Sequence, residues 1–189
     1  MTRVAARHRR QGTIGGRRAF TLVEMIAAMA ILGLVASIAA GIIVRASESF
    51  RTGAMRARLH AELAAGMDLV ERTIREIPLN AGGTAPAITR TSATQIQWTA
   101  GAGTASISST FTDLQHNPGT GAVTILTEVS AFQLQFFNES NARIGPSLSG
   151  TACGPIRRVE VTVTMTRGGI SETLRTRVFL RCMTRGSGT

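Results

Sequence analysis

An uninterrupted apolar run near the N-terminus limits what this chain can fold into more than any other feature. Residues 20–44 read FTLVEMIAAMAILGLVASIAAGIIV, and Glu24 is the sole ionisable side chain among them. At about 1.5 Å per residue, the uncharged part from residue 25 to residue 44 spans roughly 30 Å as a helix, which is the thickness of a bilayer's hydrocarbon core. The run predicts a transmembrane helix. The alternative, a buried core helix, is disfavoured by its length.

Basic residues are concentrated just before this run. The chain of 189 residues carries 21 basic side chains, all of them Arg, and a formal net charge of +10. Six of these arginines lie in residues 1–19, which hold no acid, and the remainder of the chain has 15 Arg against 11 acids. Arginines beside a span hold that end on the cytoplasmic side. The charge therefore indicates membrane orientation, and nucleic acid is not an expected partner, since a single Trp and no Tyr leave little for bases to stack on.

Composition and spacing exclude several kinds of site. Without Lys there is no phosphate-binding lysine of a P-loop and no Schiff base. His8, His60 and His116 are scattered, so no two have the spacing of zinc ligands. No serine or cysteine stands beside a base in a recognisable catalytic pattern. We therefore expect no enzyme activity, no cofactor and no metal.

Glu24 decides between export signals. A conventional signal peptide has an apolar region of roughly 7 to 15 residues before a small-residue cleavage site, and residues 37–40 offer such a site. Arg17 and Arg18 also resemble the start of a twin-arginine signal, and either signal would give a mature chain that begins near Ala40. A carboxylate in an apolar helix costs on the order of a few kcal/mol at the bilayer centre and less near its edge. Glu24 therefore needs a partner, which neither signal supplies.

The segment RAFTLVE at residues 18–24, followed by the apolar run, resembles the type III signal of type IV pilins and type II secretion pseudopilins. The resemblance implies that a prepilin peptidase and N-methyltransferase cuts between Ala19 and Phe20 and methylates the new N-terminus at Phe20. The family usually has Gly before the cut. Because Ala19 is the next smallest residue, we expect slower or intact processing.

The resemblance also implies a role for Glu24. Cleavage would create a positive amino group at Phe20, and methylation keeps that charge. In a stack of axially shifted helices, Glu24 of one subunit would meet this amino group on its neighbour, where a lone charge in an apolar core would be costly. The alternative is that Glu24 pairs with the terminus of its own chain, because residues four apart share a helix face.

Beyond residue 44 the pattern becomes amphipathic. Apolar residues recur at spacings of three and four, which mark one face of an α-helix: Met55, Leu59, Leu63, Met67, Val70, Ile74 and Ile77. Pro78 ends the run. The sequence therefore predicts one helix over residues 20–77, about 87 Å long if straight, whose second half packs on a domain; a coiled coil is the alternative.

The remaining residues predict a β-rich head. Residues 78–86 read as a connecting loop, and Arg167-Gly168-Gly169-Ile170 reads as a tight hairpin turn. Six segments have strand character: 93–99, 106–111, 122–127, 131–137, 158–166 and 172–180. The predicted fold is α+β, with a long N-terminal helix packed on an antiparallel sheet. Its predicted parts are a leader at 1–19, a transmembrane helix at 20–44, an amphipathic continuation at 45–77 and a head at 78–189.

The head offers one candidate cross-link and one basic surface. Cys153 and Cys182 lie past the span, on the expected periplasmic side, which is an oxidising compartment; a disulfide between them is predicted, and two separate thiols are the alternative. The C-terminal third is rich in arginine, and the reading of these side chains stays open between a solvated outer face and a docking patch for an acidic partner or DNA: Arg143, Arg157, Arg158, Arg167, Arg175, Arg177, Arg181 and Arg185.

The order of parts in the C-terminal half is similar to that of the J-type minor pseudopilin: residues 129–138, a Gly/Pro loop, residues 155–161 and a closing Arg-rich strand. The resemblance implies a structural subunit near the tip of a type II secretion pseudopilus, held in the bacterial inner membrane by a single span with its head in the periplasm. Its implied partners are other pseudopilin subunits, the prepilin peptidase and the inner membrane. A minor type IV pilin and a twin-arginine-exported soluble binding protein are the alternatives.

Overall fold

The computed structural model describes residues 21–101 and 103–183 of the chain. The predicted leader, the predicted cut between Ala19 and Phe20 and the methylation of Phe20 lie outside these described residues. The chain divides into two compact units, one that ends at Glu48 and one that begins at Ser49.

Helix α1 runs from Leu22 to Arg75, which is 54 residues. The predicted long helix is therefore confirmed, with each end within two residues of the prediction. Most of its residues are good helix formers such as Ala, Leu, Met, Arg and Glu. Glu76 still donates its backbone N–H to the carbonyl of Arg72 (3.1 Å), and the chain then reaches Pro78, which has no N–H to continue the ladder.

The second part of α1, from residue 55 to residue 75, has one buried face. Its buried apolar side chains are those at the predicted spacing: Leu59, Leu63, Met67, Val70 and Ile74. Ile77, just after the helix, is buried as well, whereas Met55 at the start of the pattern is 41% exposed. The amphipathic pattern therefore predicted six of its seven core positions.

Within the described residues, ten strands and two short 3-10 turns follow the helix. The strands are β1 (Ile88–Thr91), β2 (Gln95–Ala100), β3 (Gly103–Thr110), β4 (Asp113–Asn117), β5 (Val123–Leu126), β6 (Val129–Phe137), β7 (Arg143–Ile144), β8 (Leu148–Ser149), β9 (Arg158–Arg167) and β10 (Ile170–Phe179). The 3-10 turns are Gly150–Cys153 and Arg181–Met183. All six predicted strands are present, as β2, β3, β5, β6, β9 and β10, and the prediction missed β1, β4, β7 and β8.

The strands form two antiparallel sheets rather than one. The larger has the order β5-β4-β3-β2-β1-β8, and the smaller has the order β10-β9-β6-β7. The chain changes sheet between β5 and β6 at Glu128, whose φ of 58° is in the left-handed region. Directly afterwards, the N–H of Val129 bonds to the carbonyl of Thr112 (2.8 Å). The predicted α+β class is confirmed, and the single predicted sheet is corrected to two.

The predicted turn between the last two long strands is confirmed. β9 and β10 pair over their full length, with Ile170 opposite Arg167 at the turn. Gly168 and Gly169 have φ angles of 57° and 80°. Glycine takes such angles without steric cost, so this two-residue loop fixes the register of the whole hairpin.

One core joins α1 to both sheets. From β9 it receives Val159, Val161, Val163 and Met165, each 1% exposed or less, which is the predicted alternation. From β5 it receives Leu126, which contacts the helix at Gly66: a Cβ added to Gly66 would lie 2.5 Å from Cγ of Leu126. The head is thus built directly onto the second part of α1.

Candidate functional site

The start of α1 is closed by Thr21 and Glu24. The N–H of Glu24 donates to Oγ1 of Thr21 (3.2 Å), and the N–H of Thr21 donates to Oε2 of Glu24 (3.1 Å). This reciprocal pair is a capping box, which satisfies two of the free N–H groups at a helix start. Glu24 therefore has a partner within its own chain, namely Thr21.

The cap leaves part of the Glu24 carboxylate unused. Oε2 also accepts from the hydroxyl of Thr21 (3.2 Å), while no residue in the described ranges donates to Oε1. The side chain is exposed. A positively charged group can therefore approach Oε1 of Glu24 without breaking the hydrogen bonds of the cap. The predicted pairing of Glu24 with an amino group at Phe20 involves an undescribed residue and stays a prediction.

The described residues leave the first part of α1, residues 22–54, exposed to solvent. Every residue from 21 to 58 is exposed, including large apolar side chains such as Ile31, Leu32 and Ile43. The helix is long and apolar enough to cross a membrane. Gly33 and Gly41 have open space around them, so a neighbouring helix would meet bare backbone there. With the six arginines of residues 1–19, these features are consistent with a membrane-anchored single-pass protein.

In the head, Glu160 pairs with two arginines of the predicted basic surface, Arg175 and Arg177. Glu160 is the third residue of β9 and is 3% exposed. Nη2 of Arg177 bonds to its Oε2 (2.8 Å), and Arg175 bonds to its Oε1. Both arginines come from β10, where Arg177 lies directly opposite Glu160. This charge is buried on the face of the sheet that points away from the core, and it is paired twice.

The environment of Glu160 shifts its titration. Burial by itself raises the pKa of this carboxyl, but the hydrogen bonds from Arg175 and Arg177, together with their positive charges, outweigh burial and lower the pKa below its usual value. The carboxylate therefore stays ionised to a lower pH than an ordinary glutamate.

Two further arginine contacts cover the same face. The guanidinium of Arg177 lies 4.4 Å from the ring centroid of Phe137, and that of Arg158 lies 4.6 Å from the ring centroid of Phe179. Oδ1 of Asn141 accepts from Nη1 of Arg158 (2.7 Å). Stacking of this kind contributes about 0.5–1 kcal/mol at exposed sites. These arginines therefore hold the sheet's outer face together.

Arg167 ties the β9–β10 turn to the helix. Its Nη1 lies 2.9 Å from Oε2 of Glu62 on α1, and its Nε pairs with Glu128. Arg157 instead donates to the carbonyls of Gly154 (2.6 Å) and Ile156 (3.1 Å).

The arginines of the C-terminal third thus divide into two groups. Those with partners in the head or on α1 are Arg157, Arg158, Arg167, Arg175 and Arg177, and Arg181 also has an interaction. Arg143 is exposed, and Arg185 lies outside the described residues. Most of the basic surface predicted from sequence is used for internal pairing.

Cys153 and Cys182 lie one in each of the two 3-10 turns, and the structure does not join their sulfur atoms. Cys153 is buried in the core, and Cys182 packs against that core. One backbone hydrogen bond joins the chain close to the two turns. The N–H of Leu180, just before the second turn, donates to the carbonyl of Arg157, which follows the first turn (3.1 Å). Burial raises the pKa of each thiol. The disulfide stays a prediction.

Sequence reasoning missed the capping role of Thr21 and Glu24. The signal was present, because Thr followed three positions later by Glu, just before an apolar run, is typical of a helix start.

Within residues 21–101 and 103–183, no three His, Cys, Asp or Glu side chains are grouped as metal ligands. Several ionisable groups of the head instead pair with one another, as Glu160 does with Arg175 and Arg177.

Comparison with known families gives one match. Residues 15–40 match the prokaryotic N-terminal methylation motif. The matched segment contains the predicted cut, Thr21, Glu24 and most of the apolar run. It supports a type IV pilin-like protein that is processed by a prepilin peptidase and assembled into pilin-like filaments. A comparison of the sequence with curated proteins gives no match.

Proposed function

We propose that this chain is a minor pseudopilin of a type II protein secretion system, a structural subunit of the pseudopilus tip that promotes export of folded proteins. The observation that carries the proposal is an uncovered apolar helix that begins at a capped Thr21–Glu24 pair inside the methylation motif. A helix of this kind needs lipid before assembly and neighbouring helices after it. The head supplies folded contact surfaces rather than a reaction centre.

In this proposal the precursor is cut between Ala19 and Phe20, and Phe20 is N-methylated. The span from residue 20 to residue 44 then holds the subunit in the bacterial inner membrane, and the head lies in the periplasm. Glu24 meets the amino group of Phe20 on an adjacent subunit through its unused Oε1, while Oε2 keeps the cap. The chain is a substrate of the peptidase and not an enzyme.

We assign the J-type position among minor pseudopilins from the order of parts in the C-terminal half. Among those parts, residues 129–138 include β6 and residues 155–161 lead into β9, and these two strands are paired neighbours in the smaller sheet. Deletion of the gene distinguishes a role in type II secretion from a role in a type IV pilus. Loss of folded proteins from the culture medium supports the secretion role, whereas loss of surface filaments or of DNA uptake with normal secretion supports a minor type IV pilin.

N-terminal sequencing of membrane-extracted protein tests the processing step. We expect methylated Phe20 as the first residue and intact full-length protein in a strain without prepilin peptidase. A mature chain that begins near Ala40 would mean that the helix is shed, as for a twin-arginine-exported binding protein, and would refute the proposal.

Two substitutions at Glu24 separate its cap from its charge. Glu24→Gln keeps a side chain that can close a capping box but removes the negative charge, whereas Glu24→Ala removes both. We expect both variants to be inserted and cut normally and both to be missing from isolated filaments. Thr21→Ser is the matched control, since it preserves the cap and the charge. Normal incorporation of Glu24→Gln would reduce the role of Glu24 to that of a helix cap.

A further inference from the structure

Phe111 is held outward at the tip of the β3–β4 hairpin. It is 98% exposed, and it is the first residue of a two-residue loop whose flanking residues, Thr110 and Asp113, are paired. Its φ of 53° lies in the left-handed region. Glycine is the usual residue at such a position, because an L side chain there is sterically strained.

Backbone hydrogen bonds to neighbouring segments hold the loop in this conformation. The carbonyl of Thr112 accepts from the N–H of Val129 (2.8 Å), and the carbonyl of Thr94 accepts from the N–H of Ser109 (3.2 Å). The backbone is therefore anchored to its neighbours while the ring of Phe111 is left in solvent. A strained residue kept by its surroundings points to a function for its side chain.

An apolar groove opens elsewhere on the same head. Its volume is about 970 Å³, which is the size of a pocket that takes a substantial ligand. Its walls come from residues 78–89, 99–101 and 150–154 and are mostly Pro, Ala, Gly and Leu. Leu79 in this wall is 38% exposed. The groove is far larger than one phenyl ring and has room for the tip of a hairpin.

Phe111 and the groove lie at opposite ends of strand β3. The groove includes Gly101, in the loop before β3, and Phe111 follows the last residue of β3. Eight residues of strand separate them, which is about 24 Å. An apolar projection at one end of a head and an apolar recess at the other is the arrangement of a head-to-tail contact, in which two different surfaces of the same molecule meet.

We propose that two copies of this chain join head to tail, with Phe111 of one copy seated in the groove of the other. The charges beside the two surfaces are complementary. Asp113 lies two residues from Phe111, and Arg90 follows Thr89 of the groove wall; neither forms an ion pair with any other described residue. The contact joins heads and does not depend on which filament system the subunit serves.

Photo-crosslinking of the full chain in its membrane tests the contact. One copy carries p-benzoylphenylalanine at position 111 and one affinity tag, and a second copy carries another tag together with Phe111→Gly. The second copy then offers only its groove. We expect a crosslinked pair whose crosslink maps to residues 78–101 or 150–154 of the second copy.

Adding Leu79→Glu to the second copy places a charge in the groove, and we expect at least a tenfold lower yield of the crosslinked pair. Val123→Ser in the second copy is the matched control, because Val123 is an exposed apolar residue of the same sheet outside the groove; it should leave the yield unchanged. Phe111→Gly should not lower the unfolding midpoint, since it relieves the left-handed strain, so a lost contact is not a folding defect.

Three results would overturn the proposal: a crosslink that maps elsewhere on the second copy, a crosslink only to lipid or to a different protein, or a yield that Leu79→Glu does not change. None of these results bears on the cut at Phe20, so failure here is distinct from failure of the proposed function.

Discussion

Gly66 of α1 lies against Leu126 of β5, and its replacement by Ala has a calculable cost. A Cβ at position 66 would lie 2.5 Å from both Cγ and Cδ2 of Leu126 and 2.6 Å from Cδ1. Carbon atoms pack best at about 3.5–4.0 Å, so roughly 1 Å of movement is needed. Because Cγ itself is too close, rotation of the two methyl groups alone cannot relieve the overlap.

The expected loss is the difference between two terms. Overpacking a core costs about 1–3 kcal/mol, while Gly→Ala in a helix interior gains about 0.5–1 kcal/mol. We therefore expect Gly66→Ala to lower the free energy of unfolding by about 1 kcal/mol, within a range of about 0–2.5 kcal/mol. Gly53→Ala is the matched control on the same helix, because nothing lies within 4 Å of that position. It should raise the free energy of unfolding by about 0.5–1 kcal/mol.

Urea unfolding of the full chain in detergent measures both variants. Trp98 is the only Trp, there is no Tyr, and Trp98 is 5% exposed, so its fluorescence reports on the head core alone. Combining Gly66→Ala with Leu126→Ala provides room for the new methyl group, and the two losses should then be less than additive. If Gly66→Ala were as stable as Gly53→Ala, the close approach of α1 and β5 would be wrong.

Three other predictions follow from the head. The pKa of Glu160 is lowered in the folded state, so its pairing stabilises the fold above the unfolded pKa of about 4.3, and that stability is lost as pH falls through the lower folded value. Glu160→Gln should flatten this acid-side loss in thermal melts recorded at several pH values, while Glu139→Gln, an exposed residue of the neighbouring loop, should not; equal curves would refute the pairing. Gly169→Ala forces an L side chain to a φ of 80° and should cost about 1 kcal/mol of unfolding free energy, against no comparable loss for Gly145→Ala, which has open space and no positive φ. A thiol assay on unfolded protein, purified without reductant, should find no free thiol if Cys153 and Cys182 are bonded, and two free thiols would exclude the bridge.

Much of the helix was readable from local sequence. The apolar length of residues 22–44 and the spacing from Leu59 to Ile77 each depend on residues close together in the chain, and the structure has α1 and its buried face where these patterns place them. The Gly-Gly turn before β10 was predictable for the same reason, because its φ angles favour one residue type. The capping box was equally local and was missed only because Glu24 was interpreted through its charge.

The missed strands show where local patterns fail. β4 is a polar segment, DLQHN, whose strand conformation depends on pairing with β3 and β5 on both sides. β1 lies between β2 and β8 and has only four residues. Such segments become strands because a neighbour supplies hydrogen bonds, and strand propensity depends strongly on that context.

The sequence by itself determined a long helix with an apolar first part, a hairpin at its Gly-Gly turn and a β-rich head, because length, periodicity and turn chemistry act over a few residues. Only the tertiary structure decided that the strands form two sheets, that Glu160 is paired with Arg175 and Arg177, and that Phe111 and the groove lie at opposite ends of β3. These features join residues far apart in the chain, and no local pattern specifies which distant strands will pair.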